Sequence, residues 1–438
     1  MAKKNVKSLR QMIREYPEQA GSLDNLLNHM RTVTGKDIKD FPPFAKVPEV
    51  GSMRVEVPDT RLTDGWRVAA HQLVTAGGVA PILASEGGRT AHGRDLVGDF
   101  DASMKLYEYW LKSPGGKPDG DFLDGTGALE VSVLQHDIGF TWEGMHAMTG
   151  RVLYGLAERY FLSGDETSFK KLVPRLQAAA DWIIRQRDGY LKDLPNRSAL
   201  HIAGLQPPLN FSDGTPGHCE WRWYLHHNAV ELQGLHRFAQ AMATIDPSAG
   251  QRYLAEAERY RQDIRRAVQE ETVRAPVRQV RDGTYRSFIP PTAMTRGVMM
   301  KEYGSPNYGL SDNLGAVTLG EPYSALSTDY TPLNSTLDIL TEWRIPEASY
   351  AKGDAWFWEP NGKGRGAATL PKCSANANQY LLQDDIPNFL HFWGNYYAAL
   401  VIPSGQLREW PNFVPFGPIR GMADSCSCSW FLEGFRNL

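Results

Sequence analysis

The feature that most constrains this chain is the alternation of short and long connections between amphipathic helical segments. Apolar residues recur at three- and four-residue steps, the spacing of one helix face, over four stretches. These are 144–162 (Met145, Met148, Val152, Leu156, Tyr160), 168–187 (Leu172, Leu176, Ala179, Ile183), 224–243 (Val230, Leu235, Phe238, Met242) and 251–270 (Leu254, Ala257, Tyr260, Ile264, Val268). Weaker patterns predict helices at 61–75, 100–112, 332–343, 384–401 and 424–437. Alternating strand patterns are scarce, and VRQVRDGTYRSFIP (277–290), with Asp282-Gly283 at its turn, is the best hairpin candidate. The first and second long helices are joined by LSGDE (162–166), the third and fourth by DPSAG (246–250). Links this short make antiparallel helical hairpins. The hairpins themselves are separated by long links: 113–143, 188–223, 271–330, 344–383 and 402–423. If hairpins stack side by side, the short turns gather on one face and the long links on the other. Long links of this kind carry function.

Several function classes are excluded by composition. The net charge is −3 and 22% of residues are charged, so there is no basic field for nucleic acid or an anionic membrane surface. No apolar run reaches the length of a membrane span. The N-terminal MAKKNVKSLRQMIREYPEQ has no apolar core after its charges and does not read as a secretory signal. Four cysteines (Cys219, Cys373, Cys426, Cys428) are too few for a disulfide scaffold. The expected compartment is therefore the cytoplasm, or an extracytoplasmic one if the N-terminus is incomplete. The closing SWFLEGFRNL stops inside an amphipathic pattern, so the chain is either a fragment of a longer protein or closed by that helix.

Acidic residues gather beside tryptophan. Five Trp–Glu neighbours occur: Trp142-Glu143, Glu220-Trp221, Glu342-Trp343, Trp358-Glu359 and Glu409-Trp410. Ordinary glutamate usage gives roughly one or two by chance among this many tryptophans. Four of the five fall in or beside the long links, and Glu342 ends a predicted helix. Taken singly, each pair reads as a solvated loop acid. As a set on one face they point to a site. Glycoside hydrolysis needs one carboxyl protonated near neutral pH and a second ionised, and an indole wall that excludes water raises the pKa of the first. Indole faces also cover the C–H faces of sugar rings. The densest stretch is GHCEWRWYLHH (217–227), expected to open a long helix at the rim of a cavity.

A zinc reading finds no support in spacing. Cys426 and Cys428 form C-x-C rather than a C-x₂₋₄-C pair. His226 and His227 are adjacent and cannot share a helix face: one is expected to pack and the other to reach the mouth. No dinucleotide-binding, Walker or nucleophile-elbow pattern occurs. No metal or cofactor is expected.

The stretch QHDIGFTWEGMHAMTGRVLYGLAERYFLSGDETSFKKLVPRLQAAADWIIRQRDG (135–189) resembles the six-hairpin glycosidases, the (α/α)6-barrel superfamily of glucoamylase-like and α-L-rhamnosidase-like enzymes. A carboxylate-bearing loop, a helix ending in SGD (163–165) and a second helix ending in DWIIRQR (181–187) follow that family's pattern. The segment 211–243 is similar to the next hairpin, where a polar loop precedes a long helix. LQDDIPNFLHFWGNYYAAL (382–400), LREW (407–410) and ADSCSCSWFLEGFRNL (423–438) are similar to the closing hairpin. The family's Trp-Glu-His segment is replaced here by Glu409-Trp410-Pro411. A related zinc- and cysteine-dependent arabinofuranosidase family shares the barrel, but its adjacent cysteine pair is missing.

The resemblance implies an all-α fold, an (α/α)6 toroid of helical hairpins with little β structure, over 59–438, with 1–58 as a lead-in wrapping it. It also implies a hydrolase of glycosidic bonds in an oligosaccharide or glycan fragment, acting by inverting displacement. Glu220 is the expected general acid and Glu409 the base, with Glu143 and Asp137 as the reserve pair. Trp142, Trp221, Trp223 and Trp410 are the expected sugar walls, and His218 and Arg222 bind hydroxyls or an acidic sugar. Two other readings stay open. One is a polysaccharide lyase using Tyr or His as base beside an Arg- or Asn-bound uronate, and the other is a barrel that only binds glycans. Oligomeric state is not legible.

Overall fold

The computed structural model describes residues 48–56, 60–75, 84–111, 149–189, 196, 200–210, 221–279, 283–290, 292–294, 318–344, 378–386, 389, 428 and 432–433. These residues are predominantly helical, as the periodicity predicts. Their helices are α1 (Thr60–Thr75), α2 (Ala84–Leu96), α3 (Phe100–Leu111), α4 (Thr149–Ser163), α5 (Glu166–Gly189), α6 (Leu225–Ile245), α7 (Pro247–Arg274) and α8 (Thr331–Arg344). The strands are short: β1 (Leu209–Asn210), β2 (Trp221–Tyr224), β3 (Arg278–Gln279), β4 (Tyr285–Arg286) and β5 (Thr292–Ala293). The helices predicted at 384–401 and 424–437 lie mostly outside the described residues. Gly283 (φ 87°) sits between β3 and β4, at the turn the Asp-Gly pair predicts.

The chain divides into two compact units. Residues 1–78, 279–284 and 337–438 form one; residues 79–278 and 285–336 form the other. In the first unit, α1 buries Trp66, Ala69, Ala70 and Leu73, an i, i+3, i+4, i+7 stripe. Segment 48–56 runs beside it, Arg54 pairing with Glu49 at 2.8 Å. A cleft of about 420 Å³ lies between them, lined by Glu49, Met53, Arg54, Asp64, Trp66 and Arg67.

The second unit contains three hairpins. Helices α2 and α3, α4 and α5, and α6 and α7 pack as consecutive pairs. Their turns carry the expected chemistry. Gly98 (φ 77°) ends α2, and its N–H donates to the Asp95 carbonyl at 3.0 Å. Gly164 (φ 68°) ends α4, and the Asp165 carboxylate then caps α5 by accepting from the Ser168 N–H at 3.0 Å. Asp246 caps α7 through the Ala249 N–H at 3.0 Å, with Pro247 in the first helical turn.

Helix α4 also packs between α2 and α6, so the three form a layer with α3, α5 and α7 behind. The contacts give their sense. A Cβ on Gly88 meets Arg151, and Asp95 pairs with Arg159, so α2 and α4 are parallel. Gly150 lies against Val230 and Glu231 while Tyr160 bonds Thr244 (2.9 Å), so α4 and α6 are parallel too. The short turns therefore share one end of the layer. The links 112–148 and 190–224 feed the other end, where α4 and α6 begin.

Glycine permits the close approach of α4 and α6. A Cβ on Gly150 comes within 2.5 Å of Glu231 Cα, and one on Gly234 within 2.2 Å of the Gly150 carbonyl oxygen. Both are backbone atoms and cannot swing aside. The layer is unusually polar inside. Arg89, His92, Asp95, Glu158, His227, Asn228 and Glu231 are all buried on it.

Candidate active site at the long-link end

GHCEWRWYLHH does not open as a helix. Residues 221–224 form β2, and α6 begins at Leu225. The reason is local composition joined to pairing: Trp-Arg-Trp-Tyr favours extended backbone, and two neighbouring strands take up its polar groups. The sheet order is β1-β2-β5, antiparallel, with Leu209 opposite Arg222, Asn210 opposite Trp221, Trp223 opposite Ala293 and Tyr224 opposite Thr292. Trp223 and Tyr224 are half-buried. The expectation that these residues stand at a helix start is thus corrected: four strand residues separate position 220 from α6.

Asn228 holds this strand to the first turn of α6. Its amide nitrogen donates to the Tyr224 carbonyl (2.8 Å), and its oxygen accepts from the Gln206 N–H (2.8 Å) and the Tyr260 hydroxyl (2.8 Å). One fully buried side chain thus joins β2, the link before it and α7. Farther along α7, the Met294 N–H, just past β5, donates to Glu271 Oε1 at 2.8 Å, and His201 Nε2 lies 2.5 Å from the same oxygen. The link 190–224 is further pinned to α7. Arg187 donates to the Gly204 carbonyl (2.7 Å) and to Asp263 (2.7 Å), and Arg266 donates to the Ala203 carbonyl (2.5 Å).

Of the two adjacent histidines, His227 is buried with Nε2 3.7 Å from Glu231 Oε1, and His226 is half-buried with Nδ1 3.0 Å from Thr318 Oγ1. Glu231 is fully buried and accepts the Gly150 N–H at 2.9 Å, so it caps α4 from the neighbouring helix. Burial holds its carboxyl well above the usual range, against the bonds from Gly150 and Thr149 and the charge of Arg151. Its described bonds tie α4 to α6.

The other sequence-predicted residues, Asp137, Trp142, Glu143, His218, Glu220, Glu409 and Trp410, lie outside the described residues, as do the side chains of Trp221 and Arg222. Asn228, Glu231, His201 and Glu271 were missed by sequence reasoning. Most of their partners are remote in the chain, and no local pattern marks them beyond the four-residue spacings of His227 with Glu231 and of Tyr224 with Asn228. Among the described residues no group of three or more His, Cys, Asp or Glu could hold a metal ion, and no helix is long and apolar enough to cross a membrane.

No protein-family model matches the chain, and no curated protein does. Solved structures do match. One, described as a wild-type glycosidase, has a TM-score of 0.52 at 13% identity, over 87% of this chain and 99% of that one. A single-residue variant of a glycosidase gives 0.52 at 12% identity, over 87% and 100%. A glycosidase variant in complex with glucose gives 0.50 at 12% identity, over 87% and 100%. At this identity the likeness speaks to architecture alone, and it agrees with the paired, layered helices: the chain shares a predominantly helical, hairpin-built fold with these solved structures.

Proposed function

We propose that this protein is a glycoside hydrolase that cleaves a glycosidic bond in an oligosaccharide or glycan fragment, using paired carboxylates and direct, inverting attack by water. The observation that carries this reading is the placement of the long links. Helices α4 and α6 are parallel neighbours, so the link bearing Asp137, Trp142 and Glu143 and the link bearing His218 and Glu220 arrive at the same end of the layer. Glycosidases of known structure share the fold, and one holds glucose.

The proposed general acid is Glu220, next in sequence to β2. Trp221 and Trp223 would stack on sugar, with Trp142 and Trp410 as further walls. Arg222 and His218 take hydroxyls or an acidic group. Glu409 is the proposed base, and Glu143 with Asp137 the reserve pair. The acid protonates the departing glycosidic oxygen, and the base removes a proton from the water that attacks the anomeric carbon from the opposite side.

The test is reducing-end release from aryl glycosides and plant or microbial polysaccharides. Wild type is run beside Glu220→Gln, Glu409→Gln and Glu143→Gln, each checked for folding. Wild-type release lost at least a hundredfold in two of the variants supports the reading and names the pair. Product absorbing near 235 nm, the mark of an unsaturated uronide, replaces it with a lyase. Glycan binding without turnover replaces it with a binding barrel.

A further inference from the structure

We infer that Glu271, at the C-terminal turn of α7, is a positioning residue that sets the strand following Glu220. The inference rests on the hydrolase reading for its functional meaning, though not for its structural content. The sheet it acts on is small. β1 and β5 are two residues each, and β2 is four. Strands this short do not hold their own register and need outside anchors. Asn228 anchors β2 at Tyr224. Glu271 reaches the structure on both sides of β2.

On one side is β5. Met294 follows it with φ 65°, a left-handed conformation that is strained for a non-glycine residue. Its side chain is 53% exposed, so burial of the side chain does not hold the residue there. Its N–H donates to Glu271 Oε1 at 2.8 Å. On the other side is the link that leads to β1. His201, in that link, places Nε2 2.5 Å from the same Oε1, and the Arg274 guanidinium stands 3.4 Å from the ring. His201 is 9% exposed and Glu271 1%. The second oxygen of Glu271 is buried with no hydrogen-bond partner among the described residues. One oxygen therefore serves both attachments. β2 lies between β1 and β5, so the carboxylate holds the end of β5 directly and, through His201, the link that leads to β1.

Two variants and two readouts decide the matter. Glu271→Ala removes both attachments, and Glu271→Gln keeps an acceptor oxygen. Hydrogen exchange followed by mass spectrometry, on peptides covering Trp221–Tyr224 and Thr292–Met294, needs no activity. In Glu271→Ala these peptides are expected to exchange at least tenfold faster than in wild type, while those of α4 and the first half of α6 are unchanged. Glu271→Gln restores most of the protection. Unchanged exchange at Trp221–Tyr224 in Glu271→Ala overturns the inference, and so does uniform acceleration across α4 and α6. Where wild type proves active, leaving-group dependence adds a second reading. A misplaced acid harms substrates that need protonation far more than dinitrophenyl glycosides, which do not. Glu271→Ala should lose ten- to a hundredfold in kcat on an unactivated glycoside and less than threefold on the dinitrophenyl one. Glu220→Gln provides the control. If Glu220→Gln shows this selectivity and Glu271→Ala does not, the positioning role fails alone. If Glu220→Gln is fully active, its assignment as the acid fails while the exchange result still stands.

Discussion

Four carboxylates, Asp95, Glu158, Glu231 and Glu271, are buried among the described residues and tie together elements of the second unit, and none has a tryptophan beside it in sequence. Their partners are far away along the chain. Asp95 accepts from Arg159, 64 positions on, at 3.0 Å, and also from Ser103 and Tyr107; Glu231 accepts from Gly150, 81 positions back. Local patterns therefore could not reveal them, whereas acids beside indoles were visible at once. Burial pushes the Asp95 carboxyl up to about 7, against the pull of Ser103, Arg159 and Tyr107. An acid whose pKa is higher folded than unfolded contributes stability that is complete below its unfolded pKa and is lost as pH rises through the folded one. The window here runs from about 4 to about 7. Asp95→Asn does not titrate, so its stability relative to wild type should improve by about 2–3 kcal/mol between pH 5 and pH 8. Urea unfolding at the two pH values measures this, and a difference independent of pH would show that Asp95 titrates normally. At Glu231, where the neutral acid is favoured, Gln keeps an acceptor for Gly150 and should cost under about 1 kcal/mol at pH 7. Glu231→Ala leaves buried amides unpaired and should cost about 2–4 kcal/mol in the same assay.

At the scale of elements, the long amphipathic helices were legible to within about five residues at their ends, because each buries one face and shows the other. Helix α2 was not. Its ASEGGRTAHGRDL has no apolar stripe, yet residues 87–93 are all buried. A helix enclosed on every side has no polar face to create a period, and here even its interior contacts are polar. Strand β2 was missed for a different reason: four residues are too few to show alternation, and the sheet forms only when β1 and β5 arrive from elsewhere. The crossing of α4 and α6 can be tested at its glycines. A methyl at Gly234 meets backbone atoms of Gly150 at 2.2–2.6 Å, so the helices must separate. Gly234→Ala should therefore lose about 2–4 kcal/mol. Gly189→Ala, at the end of α5 with nothing within 4 Å, should be neutral or gain up to about 1 kcal/mol from helix propensity. Equal unfolding midpoints for the two variants would mean that the α4–α6 contact tolerates a wider spacing.

For the molecule as a whole, the sequence distinguished two kinds of connection, and in the hairpins of 84–274 the structure turns that into two ends with different duties. At one end, turns of a few residues close each hairpin through caps and left-handed glycines. At the other, long links deliver the proposed acids to the starts of α4 and α6. Which side chains meet there depends on folded links, and no periodicity encodes that. Insertions separate the two duties. A flexible loop gains only about 0.6 kcal/mol of closure cost for each doubling of its length, so stability alone hardly discriminates between sites. Six Gly/Ser residues placed after Gly164 leave Asp165 as the cap of α5, and a Cβ at Gly164 meets nothing within 4 Å. Activity there should stay within twofold of wild type. The same six residues placed after Asn210 lengthen the stretch between β1 and β2, leaving β1 only loosely tied to the segment that carries Glu220. With a similar unfolding midpoint, kcat/KM should fall at least tenfold. Equal losses at the two sites, measured on one glycoside with both variants folded, would remove the distinction between the ends and with it the placement of the catalytic acids at the long-link end.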